Sequence, residues 1–308
     1  MADPAHGRVP LMAYPRVPAT PPLLSGPRRV AAMVTKPIKQ AIAERVIALF
    51  NDRARGEAPV KRQAGGLLGS GSVAWRVHAD VTSMMVGGIS GLLLQMLHPA
   101  VLSGVWDHSN FRTDMHGRLR RTARFIALTT FGGREEAEAT IARIRRIHDR
   151  VSGTLPDGTP YHANDPSLLA WVHVTETTSF LASWLRYGEP RMSAADQDRY
   201  FAEMAVIATA LGADPVPRDR AAARRLIREM QPQMLCDDRT REVARLVLHQ
   251  PTANAVTDRL QALTMQAGID LLPDWARRMH GLPAPVLSRP LVRAGTLGMA
   301  QTLRWAFA

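Results

Sequence analysis

Residues 165–188 read "DPSLLAWVHVTETTSFLASWLRYG", and their punctuation decides the fold class. Asp165 has the side chain of an N-cap, and Pro166 suits the first helical position, where its missing N–H is not needed. The apolar residues that follow keep a helical period until Gly188 supplies a stop, so the stretch predicts a helix from Pro166 to about Tyr187. Downstream, Ser193 caps "AADQDRYFAEMAVIATAL", which stops at Gly212. After the linker "ADPVPRD" (213–219), "RDRAAARRLIREM" and "RTREVARLVL" read as amphipathic helices. The C-terminal "RPLVRAGTLGMAQTLRWAF" reads as another. After residue 70 no alternating strand pattern persists, and no internal repeat is visible. The expectation is an all-α, single helical-bundle domain of about eight to ten helices over residues 61–308. Residues 1–60 contain "DPAHGRVPLMAYPRVPATPPLLSGP", Pro-rich and without helical period, and are expected to form a poorly ordered arm.

Composition narrows the function classes. The chain has 308 residues, 46% hydrophobic and 21% charged, ordinary values for a globular protein. A formal net charge of +12 would suit an anionic partner. The cations are nearly all arginine, however, with lysine only at 36, 39 and 61, and they are spread along the chain. Aromatics make up 6%, too few for base-stacking platforms, so no nucleic-acid partner is expected. The single cysteine, Cys236, excludes an intramolecular disulfide, a CxxC zinc knuckle and a CxxCH attachment. Its neighbours Asp237 and Asp238 argue against a metal-bound thiolate, and a small hydrophobe is the better reading. "RRVAAMV" (28–34) is a faint twin-arginine pattern, but its apolar run ends at Thr35-Lys36. A cytoplasmic protein is expected.

From Val81 to Trp106 there is no charged residue, a run long enough to span a bilayer. Gln95 and His98 interrupt its apolarity, Pro99 breaks its helix, and Gly87, Gly88, Gly91 and Gly104 thin it. A central core helix is expected rather than a transmembrane one, with peripheral membrane contact left open. Gly87-x-x-x-Gly91 would let another helix, or a flat ligand, approach closely.

The candidate chemistry lies on three helices. In "FGGREEAEATIARIRRIHDRVSG" the apolar face runs Ala137, Ile141, Ile144, His148, Val151, spaced alternately four and three residues. The pattern buries His148, either as a core histidine satisfied by a carbonyl or carboxylate, or as a ligand. On "GRLRRTARFIALTT", Arg118, Thr122, Phe125 and Thr129 share a face, a mixture that suits a lined pocket. On the helix after Pro166, His173 and Glu176 sit one turn apart among Leu169, Val172 and Phe180. A carboxylate within an apolar stripe must be paired, protonated or metal-bound, and an ion pair with an arginine explains Glu176 as well as a site does. There is no Glu-x-x-His for a di-iron site, no His-Glu-x-x-His zinc helix, no phosphate loop and no Gly-x-Ser-x-Gly elbow. A buried helical histidine in an apolar bundle is compatible with a b-type haem, whose iron needs one imidazole and whose propionates pair with arginine.

The segments "HPAV", "HSNF", "GRLRRT", "FGGREEAEATIARIRRIH", "YHANDPSLLAWVHVTETTSFL" and "RYFAEMAVIATALG" occur in the order and at the spacing of one family. Over roughly residues 75 to 220 the chain resembles the oxygenase MpaB and rubber-oxygenase (latex-clearing protein) family. The resemblance implies an all-helical fold with a pocket for haem b in its core, and cleavage of carbon–carbon double bonds by dioxygen. It makes His148 the metal ligand. It places Arg118 and Thr122 at the haem, in catalytic and cofactor-binding roles, with Arg121, Arg145 and His173 as further cofactor contacts. Arg121 stands where some rubber oxygenases have lysine, and an arginine does not serve as a reversible iron ligand. Glu176 is a catalytic candidate from its stripe, not from the resemblance. His98 and His108 also fall in matching segments. Met115 follows Asp114 where many relatives have proline.

The expected function is therefore a haem-b-dependent oxygenase acting on a small hydrophobic, olefinic or isoprenoid-like substrate with O2. The alternatives are a non-catalytic helical haem or lipid carrier, and a cofactor-free bundle in which His148 is a core residue and the charge meets an anionic partner.

Overall fold

The computed structural model describes residues 26–51, 56–251, 254–282 and 289–308. Backbone contacts divide the chain into residues 1–38 and 39–308, and the site lies in the second unit. Helix α1, Gly26–Phe50 with Pro37 inside it, occupies part of the segment that the Pro-rich composition assigns to an unstructured arm; residues 1–25 lie outside the described residues.

The elements that follow are α2 (Val73–His78), α3 (Val81–Gln95), α4 (Pro99–His108), α5 (Met115–Phe131) and α6 (Arg134–His148). A hairpin of β1 (Ser152–Thr154) and β2 (Pro160–His162) leads into α7 (Pro166–Tyr187), α8 (Ala194–Leu211) and α9 (Arg220–Met230). The chain closes with α10 (Asp238–Leu248), α11 (Ala255–Leu271), α12 (Asp274–Met279) and α13 (Arg289–Phe307). The fold is all-α, but after residue 61 twelve α-helices stand among the described residues where about eight to ten were expected. The difference lies in short elements: α2, α4 and α12 have too few turns to show a period in sequence.

The expected caps form. Asp165 Oδ1 accepts from the N–H groups of Ser167 and Leu168, and Ser193 Oγ from that of Asp196. Gly212 closes α8 at φ 100°, a left-handed conformation that costs glycine nothing. The uncharged run from Val81 to Trp106 forms two helices bent by 103°, and no single helix among the described residues is long and apolar enough to cross a membrane. His98 makes that corner, since its Nδ1 accepts from the N–H of Ala100 at 3.3 Å and caps α4. Helices α3 and α7 form the centre. A Cβ placed on Gly87 would lie 2.9 Å from Phe180 Cα and Ser179 O, so the glycine is what lets α7 approach; at Gly91 the neighbour is Glu176 Cα, 3.4 Å away.

The core joins Val77, Leu93, Leu97 and Phe111 to Trp171, Val174, Tyr200 and Val243, all essentially inaccessible. Charge is paired locally. The fully buried Asp270 carboxylate receives Arg186 (3.1 Å), Arg289 (2.9 Å) and Arg293 (2.8 Å), and Arg304 meets Asp80 at 2.7 Å.

Candidate functional site

Helices α5 and α6 are consecutive, joined at Gly132-Gly133 and packed together. The end of α4 links the start of the one to the finish of the other: Arg118 and Arg121 bond Ser109 and Asn110, and the adjacent His108 bonds Ser152 O, just past His148. Asp114 N-caps α5 through the Gly117 N–H at 2.8 Å, and the acidic first turn of α6 (Glu135, Glu136) and its basic last turn suit the helix dipole.

His148 is the last residue of α6, one turn earlier than the stripe through Val151 predicts. Asp149 and Arg150 leave the helix because Arg150 and Val151 donate their N–H groups to Ile147 O and His148 O and begin the turn into β1. His148 is half-buried, not fully buried as the stripe implies. Its Nδ1 has almost no exposed surface and no hydrogen-bond partner, and its Nε2 makes no hydrogen bond among the described residues. Burial lowers its pKa, against an opposing contribution from Asn164. A neutral imidazole with a free lone pair follows.

Arg118 is half-buried and donates from Nη1 to Ser109 Oγ at 3.3 Å. Burial, then repulsion from Arg121, lowers its pKa to about 10, so it stays cationic at neutral pH. Arg121 is exposed and committed to Asp114 (3.2 Å) and Asn110 Oδ1 (3.1 Å). Thr122 is exposed, and its hydroxyl donates back to Arg118 O at 3.2 Å. Arg145 is exposed and donates to Ala210 O at 3.2 Å, tying α6 to the end of α8. On the same α5 face Phe125 is half-buried and Thr129 buried, its hydroxyl turned to Phe125 O at 2.9 Å.

The two α7 candidates form a separate group: no hydrogen bond or ion pair among the described residues joins them to the α5–α6 end. His173 is buried, its pKa depressed by burial to about 4; its Nδ1 lies 3.4 Å from Thr177 Oγ1 and its Nε2 has no partner among the described residues. Glu176 has no ion pair or hydrogen bond among the described residues, and burial pushes its carboxyl up to about 7. The arginine partner that would have made Glu176 an ordinary ion pair is thus not found there. Its electrostatic neighbour is Tyr200, itself raised well above its usual range by burial and then by Glu176. The Tyr200 hydroxyl bonds His78 Nε2 at 2.8 Å, and His78 Nδ1 bonds Thr130 Oγ1 at 2.8 Å. That buried chain from α8 through α2 to α5 has no local signature in sequence, because its two hydrogen bonds join residues 122 and 52 positions apart.

His98 bonds Gln233 Oε1 at 3.3 Å, and His108 bonds Ser152 O at 3.0 Å, so both have structural work. Cys236 is half-buried, and burial pushes its thiol up, away from a thiolate. Among the described residues no group of three or more His, Cys, Asp or Glu converges on a metal position. A cavity of about 100 Å³ lies beside Ser90, Leu94, Thr178 and Ile227; none of the candidate site residues lines it. What the residues do offer is lone imidazole nitrogens, a cationic Arg118 and a half-buried apolar set, Leu119, Phe125 and Ile126. This donor set fits haem, whose iron needs one protein ligand, and does not fit a metal held by side chains alone.

Residues 75–305 match the family model described as "ER-bound oxygenase mpaB/B'/Rubber oxygenase, catalytic domain". The match runs well past the region around residue 220 where the motif resemblance weakens. No curated protein and no solved structure matches the chain.

Proposed function

The chain belongs to the family of mpaB-type oxygenases and rubber oxygenases, over their catalytic domain, and from that premise we propose a haem-b-dependent oxygenase that acts on a small hydrophobic, olefinic or isoprenoid-like substrate. The observation that carries the haem assignment is His148: a neutral imidazole at a helix end, with one buried nitrogen lacking a partner and the other making no hydrogen bond.

Haem, when bound, supplies an iron that can take up and activate dioxygen. The protein's part falls to named residues. His148 provides the ligand nitrogen, kept neutral by burial. Arg118 and Arg145 provide cations at the same end for the propionates, and Arg118 is enclosed enough for that pairing to be strong. Arg121 contributes through Asp114, to which it is already bound, and Thr122 by fixing the α5 backbone at Arg118. Leu119, Phe125 and Ile126 hold apolar substrate and exclude water. Glu176, with a pKa near 7, can hold or release a proton at its carboxylate near neutral pH, and His173 lies one turn away with Nε2 unengaged. Cytoplasmic placement is part of the proposal.

The test is oxygen uptake by hemin-loaded protein given isoprenoid olefins of graded length, with carbonyl products identified by mass spectrometry. Uptake matched by carbonyl formation supports the oxygenase. Tight hemin or lipid binding without uptake points to a carrier.

A further inference from the structure

Asn164 lies between β2 and the Asp165 cap of α7, a position that capping alone does not explain. Its backbone N–H donates to His162 Nδ1 at 3.1 Å, and the preceding Ala163 N–H to Val151 O at 2.8 Å. The β1–β2 hairpin thereby holds Asn164 against the last turn of α6. Its Nδ2 donates to Arg145 O at 3.1 Å and to Asp149 Oδ1 at 2.7 Å, the residues on either side of His148 in that turn. Two acceptors at one end of the amide identify that end as the NH2 group, so the other end is the carbonyl. That carbonyl oxygen, Oδ1, is buried and has no hydrogen-bond partner among the described residues. The neighbouring His148 Nδ1 is buried without a partner as well. Asn164 lies close enough to act on the ring as a hydrogen-bonding side chain, and it favours the protonated form. A buried acceptor and a buried ring nitrogen left alone each carry a desolvation cost, and one hydrogen bond between them would meet both needs.

We propose that Asn164 is a positioning residue for His148: its Oδ1 accepts from His148 Nδ1–H, fixes that tautomer, and leaves the Nε2 lone pair free for the iron. The assignment rests on the haem reading for its purpose but not for its geometry. Partners of this kind orient a ligand imidazole and raise its basicity, and losing one weakens metal affinity about 10–100-fold.

The test uses the full chain labelled with ¹⁵N-histidine, first without and then with hemin, for wild type, Asn164→Leu and Asn164→Asp. The proposal expects His148 in the Nδ1–H tautomer in hemin-free wild type and a shift towards Nε2–H in Asn164→Leu. It also expects hemin to bind Asn164→Leu about 10–100-fold more weakly. The reduction potential should rise in Asn164→Leu, which withdraws the acceptor, and fall in Asn164→Asp, which strengthens it. A residue that merely held α6 in place would lower stability in both variants and leave tautomer and potential alone, which overturns the proposal. If Asn164→Leu does not fold, Asn164→Asp decides: an unchanged potential overturns it. If wild type binds no hemin, the haem reading fails and the tautomer still judges Asn164: Nε2–H in wild type overturns the pairing, and Nδ1–H supports it.

Discussion

Glu176 is a buried acid with no hydrogen bond or ion pair among the described residues, and Glu176→Gln isolates the cost. The folded pKa is near 7 and the ordinary value is 4.5. Below the ordinary value both folded and unfolded chains carry the proton, and the group is neutral to stability. Between the two values the folded chain keeps a proton that the unfolded chain has released, so stability falls as pH rises. Above the folded value the full cost is present. At 1.36 kcal/mol per unit that cost is roughly 3 kcal/mol, an upper figure because Glu176 keeps some accessible surface. Glutamine has no such titration. The hemin-free variant should therefore match wild type at about pH 4 and exceed it by roughly 3 kcal/mol at about pH 8. With a urea slope of about 3 kcal/mol/M, the midpoint gap opens from near zero to about 1 M. Urea unfolding followed by circular dichroism at several pH values reads this directly. A gap that does not change with pH would refute the claim that the carboxyl is buried and unpaired.

Three further outcomes follow from packing and pairing. Asp270→Asn leaves Arg186, Arg289 and Arg293 around a neutral side chain and should cost roughly 2–3 kcal/mol, less than for a fully buried pair because the arginines are partly hydrated; a urea midpoint equal to wild type would contradict the ion cluster. Tyr200→Phe strands His78 Nε2 and should cost about 1–3 kcal/mol in the same assay, and no measurable loss would contradict the buried chain. Gly87→Ala places a methyl 2.8 Å from Phe180 Cδ1 and should lower stability by about 1–3 kcal/mol or more. Gly88→Ala, whose nearest neighbour is 3.7 Å away, should be close to neutral, and thermal melts that do not separate the two would count against the α3–α7 approach.

The helices legible in sequence are those with strong local signals. Asp165-Pro166, Gly188, Ser193 and Gly212 each act within one turn of their own position, and each sits at the helix end it predicts. Gly87 and Gly91 were readable as a place of close approach because a missing side chain has few other uses in a core helix. Pro99 marks the break in the uncharged run, where α4 begins; the 103° bend and its cap, a His98 ring nitrogen rather than a Ser, Thr, Asp or Asn side chain, have no such signal. The β1–β2 hairpin was illegible because its strands have three residues each, too short for alternation to show. Of the candidate site, His148 and Arg118 stood out by face and spacing. Asn164 did not: in "HANDP" it reads as a turn residue before a cap, and its relation to His148 exists only once the hairpin folds back on α6. The same holds for Tyr200 and His78, which meet only in the packed bundle.

The central claim is that His148 ligates a b-type haem. The visible absorption spectrum of the purified protein, with a pyridine haemochrome assay, tests it on wild type and His148→Ala. The account predicts a b-type Soret band in wild type that is lost or shifted in the variant. A wild type that stays colourless after hemin addition would contradict the haem assignment, and a coloured variant with an unchanged spectrum would contradict His148 as its ligand.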